Sequence, residues 1–264
     1  MGNREEYKEF EAKLNEKSKV RKVIAVMSGK GGVGKSLVTS LLAANAARDG
    51  RKVAIMDADI TGPSIPTAFG LKEPLSGSET EIYPALTKSG IKAVSLNLMT
   101  NDVTSPVIWR GPVVAGLVKQ FWTDVVWDDV DEMYVDMPPG TGDVPLTVFQ
   151  SLPVSAIVVV TTPQELVSLI VEKAVRMAQM MNIPILALVE NMSYIQCPHC
   201  GDKIYPYGKN DEAIKEKYGI PCYASLPIDP KIAHLVDSGA IEDFEGNYLV
   251  DLSKAIKKLP DNQQ

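Results

Sequence analysis

Residues 29–36 read GKGGVGKS, which satisfies the pattern G-x-x-x-x-G-K-[ST] of a loop that wraps phosphate groups. Its glycines let backbone N–H groups turn toward phosphate oxygens without a Cβ in the way. Lys35 is then placed to reach the β- and γ-phosphates of a nucleotide, and the Ser36 hydroxyl to bind Mg²⁺. The apolar run Val23–Met27 precedes this loop and a helix is predicted from Leu37, which is the context that a phosphate loop requires. The predicted nucleotide-binding residues are Gly29, Lys30, Gly31, Gly32, Val33, Gly34, Lys35 and Ser36.

Carboxylates follow two further apolar runs. Asp57 ends the run at 53–56, and Asp136 ends the run at 133–135. A carboxylate at such a strand end can hold a water molecule of Mg²⁺, which is the role we predict for Asp136, while Asp57 supports the same magnesium shell. In the turn that follows, the Gly140 N–H is expected to meet the γ-phosphate. A loop of this kind can order or relax when the nucleotide is hydrolysed.

These polar residues need a scaffold that gathers them. Predicted strands alternate with predicted helices along the chain, which indicates an α/β fold with a mostly parallel central sheet and helices on both faces. In such sheets, ligands bind outside the carboxyl ends of the strands. We expect a single domain over 21–264, preceded by a charged leader over 1–20. Within the leader, Tyr7, Phe10 and Leu14 predict a short amphipathic helix.

The composition of the chain argues against several classes of function. The 264 residues carry a formal net charge of −6, so bulk electrostatic binding to nucleic acid or to anionic lipid is not expected. No apolar run approaches the roughly 20 residues that span a bilayer. The N-terminus lacks the apolar segment of a secretory signal. Three cysteines do not make a disulfide scaffold, so a reduced, cytoplasmic compartment is expected.

Cys197-Pro-His-Cys200-Gly201 is a second candidate site, in a loop predicted over about 195–208. A redox C-x-x-C needs its first cysteine at a helix N-terminus, but Gly201 favours a knuckle or hairpin. A zinc site within one chain needs four ligands. The candidate ligands are Cys197, Cys200, Cys222, His199 and His234. Such a site is strained because Cys222 falls in a predicted strand, where it is expected to be a small buried core residue.

A third arrangement uses symmetry. In a two-fold dimer, two copies of the C-x-x-C pair meet and offer four thiolates. Four thiolates suit either zinc or an iron–sulfur cluster, and the cysteine spacing does not choose between the two.

Lys30 extends the phosphate loop to K-G-G-x-G-K-S, which resembles the deviant Walker A signature of the MinD/ParA/nitrogenase iron-protein class of P-loop ATPases. The resemblance implies the P-loop NTPase fold and a homodimer in which Lys30 reaches the partner's nucleotide. It also implies that Asp59 orients the attacking water and that Asn191, after the predicted strand Ile185–Val189, pairs with adenine through its amide. The class closes over the base at the positions of Pro227 and Asp229. The missing NKxD pattern favours ATP over GTP.

The order of several motifs resembles the Mrp/ApbC family of P-loop ATPases more specifically. These motifs are DADITGPS at 57–64, WRGP at 109–112, VDMPPGTGD at 135–143, TTPQ at 161–164, ENMS at 190–193 and CPHCG at 197–201. The family implies a homodimer that holds a [4Fe–4S] cluster between paired C-x-x-C motifs. It would receive the cluster from an upstream scaffold and deliver it to apo-proteins, with slow ATP hydrolysis coupled to loading or release. Two alternatives remain: a MinD/ParA-like positioning ATPase, and a dimeric ATPase with a structural zinc held by four cysteines.

Overall fold

The computed structural model describes residues 11–59, 64–78, 81–99, 111–164, 169–208 and 213–262. Three predicted features lie wholly or partly outside these ranges. They are the leader positions Tyr7 and Phe10, residues 60–63 of the DADITGPS motif, and Trp109 and Arg110 of the WRGP motif.

Strands and helices alternate as predicted. The strands are β1 (Lys19–Ser28), β2 (Val53–Asp57), β3 (Ser76–Gly77), β4 (Ile82–Tyr83), β5 (Ala85–Leu86), β6 (Lys92–Ser95), β7 (Asp129–Asp136), β8 (Ala156–Thr161), β9 (Ile185–Gln196), β10 (Lys203–Ile204) and β11 (Cys222–Pro227). The helices are α1 (Lys35–Arg48), α2 (Ile65–Ala68), α3 (Gly111–Thr123), α4 (Asp143–Ser151), α5 (Leu169–Met180), α6 (Ala213–Tyr218), α7 (Pro230–Asp237) and α8 (Val250–Lys257).

Among the described residues, nine strands form one sheet in the order β10-β9-β8-β1-β7-β2-β6-β5, and β11 also pairs with β9. All neighbours in this sheet are parallel except β5 with β6 and β10 with β9. The strand that leads into the phosphate loop, β1, therefore lies between β7 and β8. This central position brings the carboxyl ends of β1, β2 and β7 to one edge, as the sequence predicts.

Two apolar cores flank the sheet. Side chains alternate along β1, so that Val23 and Met27 face one core while Ile24 and Val26 face the other. Residues of α3, α4 and α5 fill the first core, and residues of α1, α7 and α8 fill the second. Because both faces of the central strands are covered by helices, these strands are almost continuously apolar. The predicted three-layer α/β fold is confirmed.

The described part of the leader is not helical. Residues 11–18 contain no helix, and β1 begins at Lys19, inside the predicted leader. The Trp122 indole N–H donates to the Ala12 carbonyl (2.9 Å), and the Ala12 N–H donates to the Ser151 carbonyl (2.8 Å). Leu14 packs against the core formed with α3 and α4. These tertiary contacts fix the segment in an irregular conformation and join it to the domain.

Strand β9 is much longer than predicted. The sequence indicates a strand that ends at Glu190-Asn191, but β9 continues through both residues to Gln196. Between Glu190, which pairs with Ser225, and Tyr194, which pairs with Pro227, the register with β11 shifts. Three residues of β9 thus lie opposite one of β11, which is a bulge. Within it, Met192 has a φ of 56°.

Candidate functional site

The phosphate loop connects the end of β1 to the start of α1. Gly32 and Gly34 have φ values of 80° and 84°, a left-handed conformation that glycine adopts without strain. Gly34 lies directly before the first turn of α1, whose N–H groups and dipole favour an anion at this end. The Ser28 hydroxyl donates to the Lys30 carbonyl (2.9 Å) and fixes the entrance of the loop.

The loop borders a cavity of about 510 Å³. Its described lining residues are Ser28, Lys30, Gly31, Gly32, Gly34, Lys35, Ser36, Leu37, Asp59, Ser64, Ala68, Pro139, Asn191, Met192 and Val236. Most of the predicted loop residues are among them. The Val33 side chain instead packs in the apolar core. A cavity of this volume is typical of a small-molecule or cofactor site.

Asp136 is the centre of a buried polar network beside the loop. The Lys35 ammonium donates to Asp136 Oδ1 (2.8 Å), and the Ser36 hydroxyl donates to Asp136 Oδ2 (2.6 Å). The Thr39 hydroxyl, one helical turn after Lys35, also donates to Oδ1 (2.9 Å). The side chain of Asp136 is 0 % exposed and that of Lys35 is 5 % exposed. The predicted lysine, serine and carboxylate are therefore brought into contact.

Asp57 and Asp136 are register partners on the neighbouring strands β2 and β7. Asp57 accepts from the Ser95 hydroxyl (3.0 Å) and from the Asp59 N–H (3.1 Å). Asp59 in turn lies 3.3 Å from the Lys35 ammonium. Asp59 and Asp136 thus both lie against the Lys35 ammonium, and Asp57 lies beside them.

Burial raises the pKa of both Asp57 and Asp136. For Asp57 the pKa lies well above the ordinary value, because the negative charge of Asp136 adds to the desolvation. For Asp136 the Lys35 ammonium and the Ser36 and Thr39 hydroxyls oppose the effect of burial. Asp57 is therefore the carboxylate whose charge is least stabilised by its surroundings.

Asn191 contacts the phosphate loop itself. Its amide nitrogen donates to the Val33 carbonyl (2.9 Å), and the residue is 2 % exposed. A Cβ added to Gly34 would overlap this nitrogen. The close approach of the loop to β9 therefore requires glycine at position 34. Pairing of Asn191 with adenine stays a prediction.

Gly140 has a positive φ of 89°, consistent with the predicted turn, but its N–H donates to the Ser28 carbonyl (2.9 Å). The expected contact of this N–H with the γ-phosphate is therefore not available in this conformation, because the turn is tied to the end of β1. Rearrangement of the turn after β7 would be needed to release it.

Cys197 and Cys200 lie in the turn of a β-hairpin formed by β9 and β10, as the flanking Gly201 indicates. Ile195 and Gln196 pair with Ile204 and Lys203, and the turn between them holds Cys197 and Cys200. Two backbone hydrogen bonds close the turn: Cys197 N–H to the Asp202 carbonyl (2.8 Å) and Gly201 N–H to the Cys197 carbonyl (2.9 Å).

The backbone N–H groups of Cys200 and His199, together with the nearby Cys200 side chain, lower the pKa of the Cys197 thiol. Cys200 is exposed, and its thiol donates to Asp202 Oδ2 (3.3 Å). The turn is thus organised to hold a thiolate, the form of cysteine that binds metals.

Over the described residues, no three His, Cys, Asp or Glu side chains cluster so as to hold a metal ion. A zinc site within one chain would need four such ligands, and the hairpin brings two cysteines together. Cys222 is partly buried against the core beside α1 and α8.

Pro227 and Asp229 line a second cavity, of about 570 Å³, together with Gln196, Cys197, Lys231 and Tyr248. Asp229 caps α7 by accepting from the Lys231 N–H (2.9 Å), and it accepts from the Tyr248 hydroxyl (3.2 Å). Burial, with the nearby Asp229 charge, raises the pKa of Tyr248 to about 12. The structure thus places Pro227 and Asp229 beside the cysteine hairpin, and their closure over a base stays a prediction.

Sequence reasoning missed several residues of the site. Thr39 binds Asp136, Ser95 binds Asp57, and Met192 and Val236 line the phosphate-loop cavity. Thr39 carried a usable signal, because it follows Lys35 by one helical turn on the same face. Ser95 on β6 and Val236 on α7 reach the site only through tertiary packing, which no local pattern reveals, whereas Met192 directly follows the predicted Asn191.

The fold and this arrangement of lysine, serine and carboxylate define a P-loop nucleoside triphosphatase. The family described as ParA, NUBPL iron-transfer P-loop NTPase, matches residues 19–261. The chain therefore belongs to the NUBPL iron-transfer family of P-loop NTPases, and the predicted resemblance to iron–sulfur carrier ATPases is confirmed.

Relatives agree with this assignment. An iron–sulfur cluster carrier protein from Clostridium perfringens is 43 % identical over 234 residues, which cover 85 % of this chain and 82 % of that protein. One from Methanocaldococcus jannaschii is 44 % identical over 235 residues, with 87 % and 80 % covered. A nucleotide-binding protein from Archaeoglobus fulgidus, solved in complex with ADP, superposes with a TM-score of 0.79 at 40 % identity and covers 94 % of this chain and 96 % of its own. The cell division ATPase MinD from Pyrococcus furiosus, at 20 % identity, TM-score 0.65 and coverage of 90 % and 98 %, shares the fold.

None of the described helices is both long and apolar enough to cross a membrane.

Proposed function

We propose that this chain binds ATP with Mg²⁺ in the phosphate-loop cavity, hydrolyses it slowly, and carries a [4Fe–4S] cluster as cargo. Cys197 and Cys200 of two copies would hold the cluster between them. The chain would receive it from an upstream scaffold and deliver it to apo iron–sulfur proteins. The family and the names of the relatives support iron–sulfur carriage, and ADP in the Archaeoglobus fulgidus relative supports the nucleotide.

The cysteine hairpin is the observation that carries this proposal. It presents two thiols at the surface, with backbone N–H groups already aimed at the Cys197 sulfur. Hydrogen bonds to sulfur stabilise the thiolate ligands of a cluster and tune its potential. A [4Fe–4S] cluster takes four cysteine ligands, so two hairpins related by a two-fold axis supply the full set.

The phosphate site has the donor set that Mg²⁺ prefers. The Ser36 hydroxyl and an Asp136 carboxylate oxygen, 2.6 Å apart, are hard oxygen ligands. Ser36 would bind the ion directly and Asp136 through water, and the ion would neutralise charge on the phosphates. Lys35 would then exchange Asp136 and Asp59 for phosphate oxygens. Asp59, released from Lys35, would orient the attacking water, and Lys30 would reach the nucleotide of the second copy.

A membrane-positioning role is not favoured by the C-terminal helix. The apolar residues of α8, Leu252 and Ile256, are buried in the core, together with Leu249 just before it. An amphipathic helix that binds membranes must offer that face to lipid. In α8 the apolar face packs against the core and is therefore not offered to lipid.

The test is the metal and sulfide content of protein reconstituted without oxygen, together with its visible spectrum. We expect about four iron and four sulfide per dimer, with loss of both in Cys197→Ala and in Cys200→Ala. Cys222→Ala is the matched control and should retain the cluster. All three variants should bind ADP as the wild type does. Zinc at one per dimer, without a competent iron–sulfur species, would instead establish the alternative of a structural zinc held by four cysteines.

A further inference from the structure

Strand β9 joins the two sites. Asn191 and Met192 line the phosphate-loop cavity, and Gln196 and Cys197 line the second cavity. The four residue steps from Met192 to Gln196 span at most about 13 Å. One strand therefore runs from the phosphate-loop cavity to the residue directly before the first cysteine.

The contact at the nucleotide end is direct and buried. The Asn191 amide donates to the backbone carbonyl of Val33, which lies inside the phosphate loop. Any movement of this carbonyl when the loop closes on phosphate must move Asn191 or break a buried hydrogen bond. Leaving such a carbonyl or amide unsatisfied costs about 1–3 kcal/mol.

The bulge gives β9 a place to change shape. It lies between Glu190 and Tyr194, so Asn191 sits within it. Met192 at its centre has a positive φ, a conformation that a non-glycine residue adopts only when its surroundings hold it there. A bulge interrupts the ladder and re-aims the side chains that follow. A displacement of Asn191 would therefore change the direction of the strand toward Cys197.

A buried carboxylate holds the bulge in its present form. Glu190 is 1 % exposed and accepts from the hydroxyls of Ser193 (2.6 Å) and Tyr223 (2.7 Å). Ser193 lies on the far side of the bulge, and Tyr223 lies on β11. The carboxylate therefore ties both ends of the bulge to the neighbouring strand.

We propose that Asn191 is a positioning residue that couples the state of the phosphate loop to the cysteine hairpin through the β9 bulge, with Glu190 and Tyr223 as its anchor. This inference rests on the proposed function and names the path by which nucleotide acts on cargo. It predicts an energetic coupling between two sites, which must be reciprocal. Nucleotide then changes the reactivity of the cysteines and their affinity for cargo. Bound cargo changes the affinity for nucleotide by that same factor.

The first readout needs no cargo. In the reduced apoprotein, the alkylation rates of Cys197 and Cys200 are measured by mass spectrometry with and without saturating Mg·ADP. We expect a change of about fivefold or more in the wild type, the lower range of allosteric coupling. Asn191→Asp, which keeps the size but loses the donor to Val33, and Tyr223→Phe, which removes one hydroxyl, should each bring the ratio close to one.

A matched control tests whether loss of any tyrosine–glutamate hydrogen bond has this effect. The Tyr83 hydroxyl donates to Glu81 (2.9 Å) at an exposed position away from β9. Tyr83→Phe should therefore keep the wild-type ratio. ADP affinity is measured for every variant, so that each comparison is made at saturation.

The second readout is the Kd for ADP with and without the reconstituted cluster. Wild type should show a shift, and Asn191→Asp and Tyr223→Phe should not. If both variants bind ADP and retain the wild-type coupling, the inference is overturned. If the wild type binds ADP and holds a cluster but shows no coupling, the inference fails and the proposed function stands. Absence of ADP binding or of a cluster in the wild type would instead overturn the proposed function.

Discussion

Lys35 forms a buried ion pair with Asp136, with 2.8 Å between the ammonium nitrogen and Oδ1. The residue that should bind phosphate is thus paired with the residue that should hold a magnesium water. Phosphate oxygens would replace Asp136 as the partner of Lys35, and Mg²⁺ with its bound water would replace Lys35 as the partner of Asp136. On the proposed function, nucleotide binding would therefore be an exchange of ion pairs at Lys35 and Asp136.

Removal of Lys35 should destabilise the protein in a pH-dependent way. Lys35→Ala leaves Asp136 buried without a cation, which costs about 3 kcal/mol or more when the carboxylate is charged. Because burial raises the pKa of Asp136, the folded state takes up a proton more readily than the unfolded chain, so stability falls as the pH rises. The loss should be larger at pH 8 than at pH 5 in urea unfolding. Lys30→Ala, at an exposed position, should change stability by less than about 0.5 kcal/mol. An equal loss for Lys35→Ala at both pH values would contradict the prediction.

Asp57→Asn should stabilise the protein without nucleotide. The folded-state pKa of Asp57 is raised well above its unfolded value, so its ionisation works against folding as the pH rises through that window. Asparagine removes this charge and can still bond to Ser95 and to the Asp59 N–H. We expect a gain of about 1 kcal/mol or more at pH 8 that shrinks toward pH 4, measured by urea unfolding. A variant less stable than wild type at pH 8 would show that the Asp57 charge is stabilised in a way that the contacts do not reveal.

Alanine substitutions at Gly32 and Gly34 distinguish the cost of backbone strain from the cost of side-chain overlap. Gly32→Ala and Gly34→Ala both place alanine at a positive φ, which costs about 1–2 kcal/mol. Among the described residues, no atom lies within 4 Å of a Cβ added at Gly32, whereas at Gly34 the new atom overlaps the Asn191 amide. Gly34→Ala should therefore lower the melting temperature and the ADP affinity more than Gly32→Ala. Equal effects would mean that the Asn191 side chain moves aside without a cost in free energy.

The thiol of Cys197 should react at lower pH than an ordinary cysteine. Its pKa is lowered first by the backbone N–H of Cys200 and then by that of His199, and Cys200→Ser retains both groups. In that variant, the pH midpoint for alkylation of Cys197 should lie below the ordinary value of about 8.5. Unfolding in guanidinium removes the turn and should restore the ordinary midpoint. The same midpoint in both conditions would show that the turn does not stabilise the thiolate.

The convergence of Lys35, Ser36 and Asp136 could be predicted from sequence because each lies at the end of an apolar strand or in the loop that follows. In a parallel sheet such ends share one edge. The phosphate-loop motif and the strand-end carboxylate were therefore enough to predict which residues meet at the site. The alternation of strands and helices was enough to predict the three-layer fold.

The course of β9 could not be predicted in the same way. Glu190 and Asn191 look like a strand end because polar residues commonly follow buried strands. Their side chains are instead satisfied by Tyr223, Ser193 and the Val33 carbonyl, two of which are distant in sequence. Likewise, the leader segment is irregular because Trp122 and Ser151 bind its backbone. Tertiary partners override local pattern in both places.

The central position of β1 also determines when, during synthesis, the phosphate loop becomes a site. A nascent chain that has emerged through α1 carries the whole GKGGVGKS segment but neither neighbour of β1. Both neighbours, β7 and β8, are translated later, and pairing of this non-local kind is slow. The loop therefore gains both neighbours of β1 only after the ribosome has passed Thr161, and a chain that ends before β7 retains every residue of the loop but lacks the strand that brings Asp136 to it.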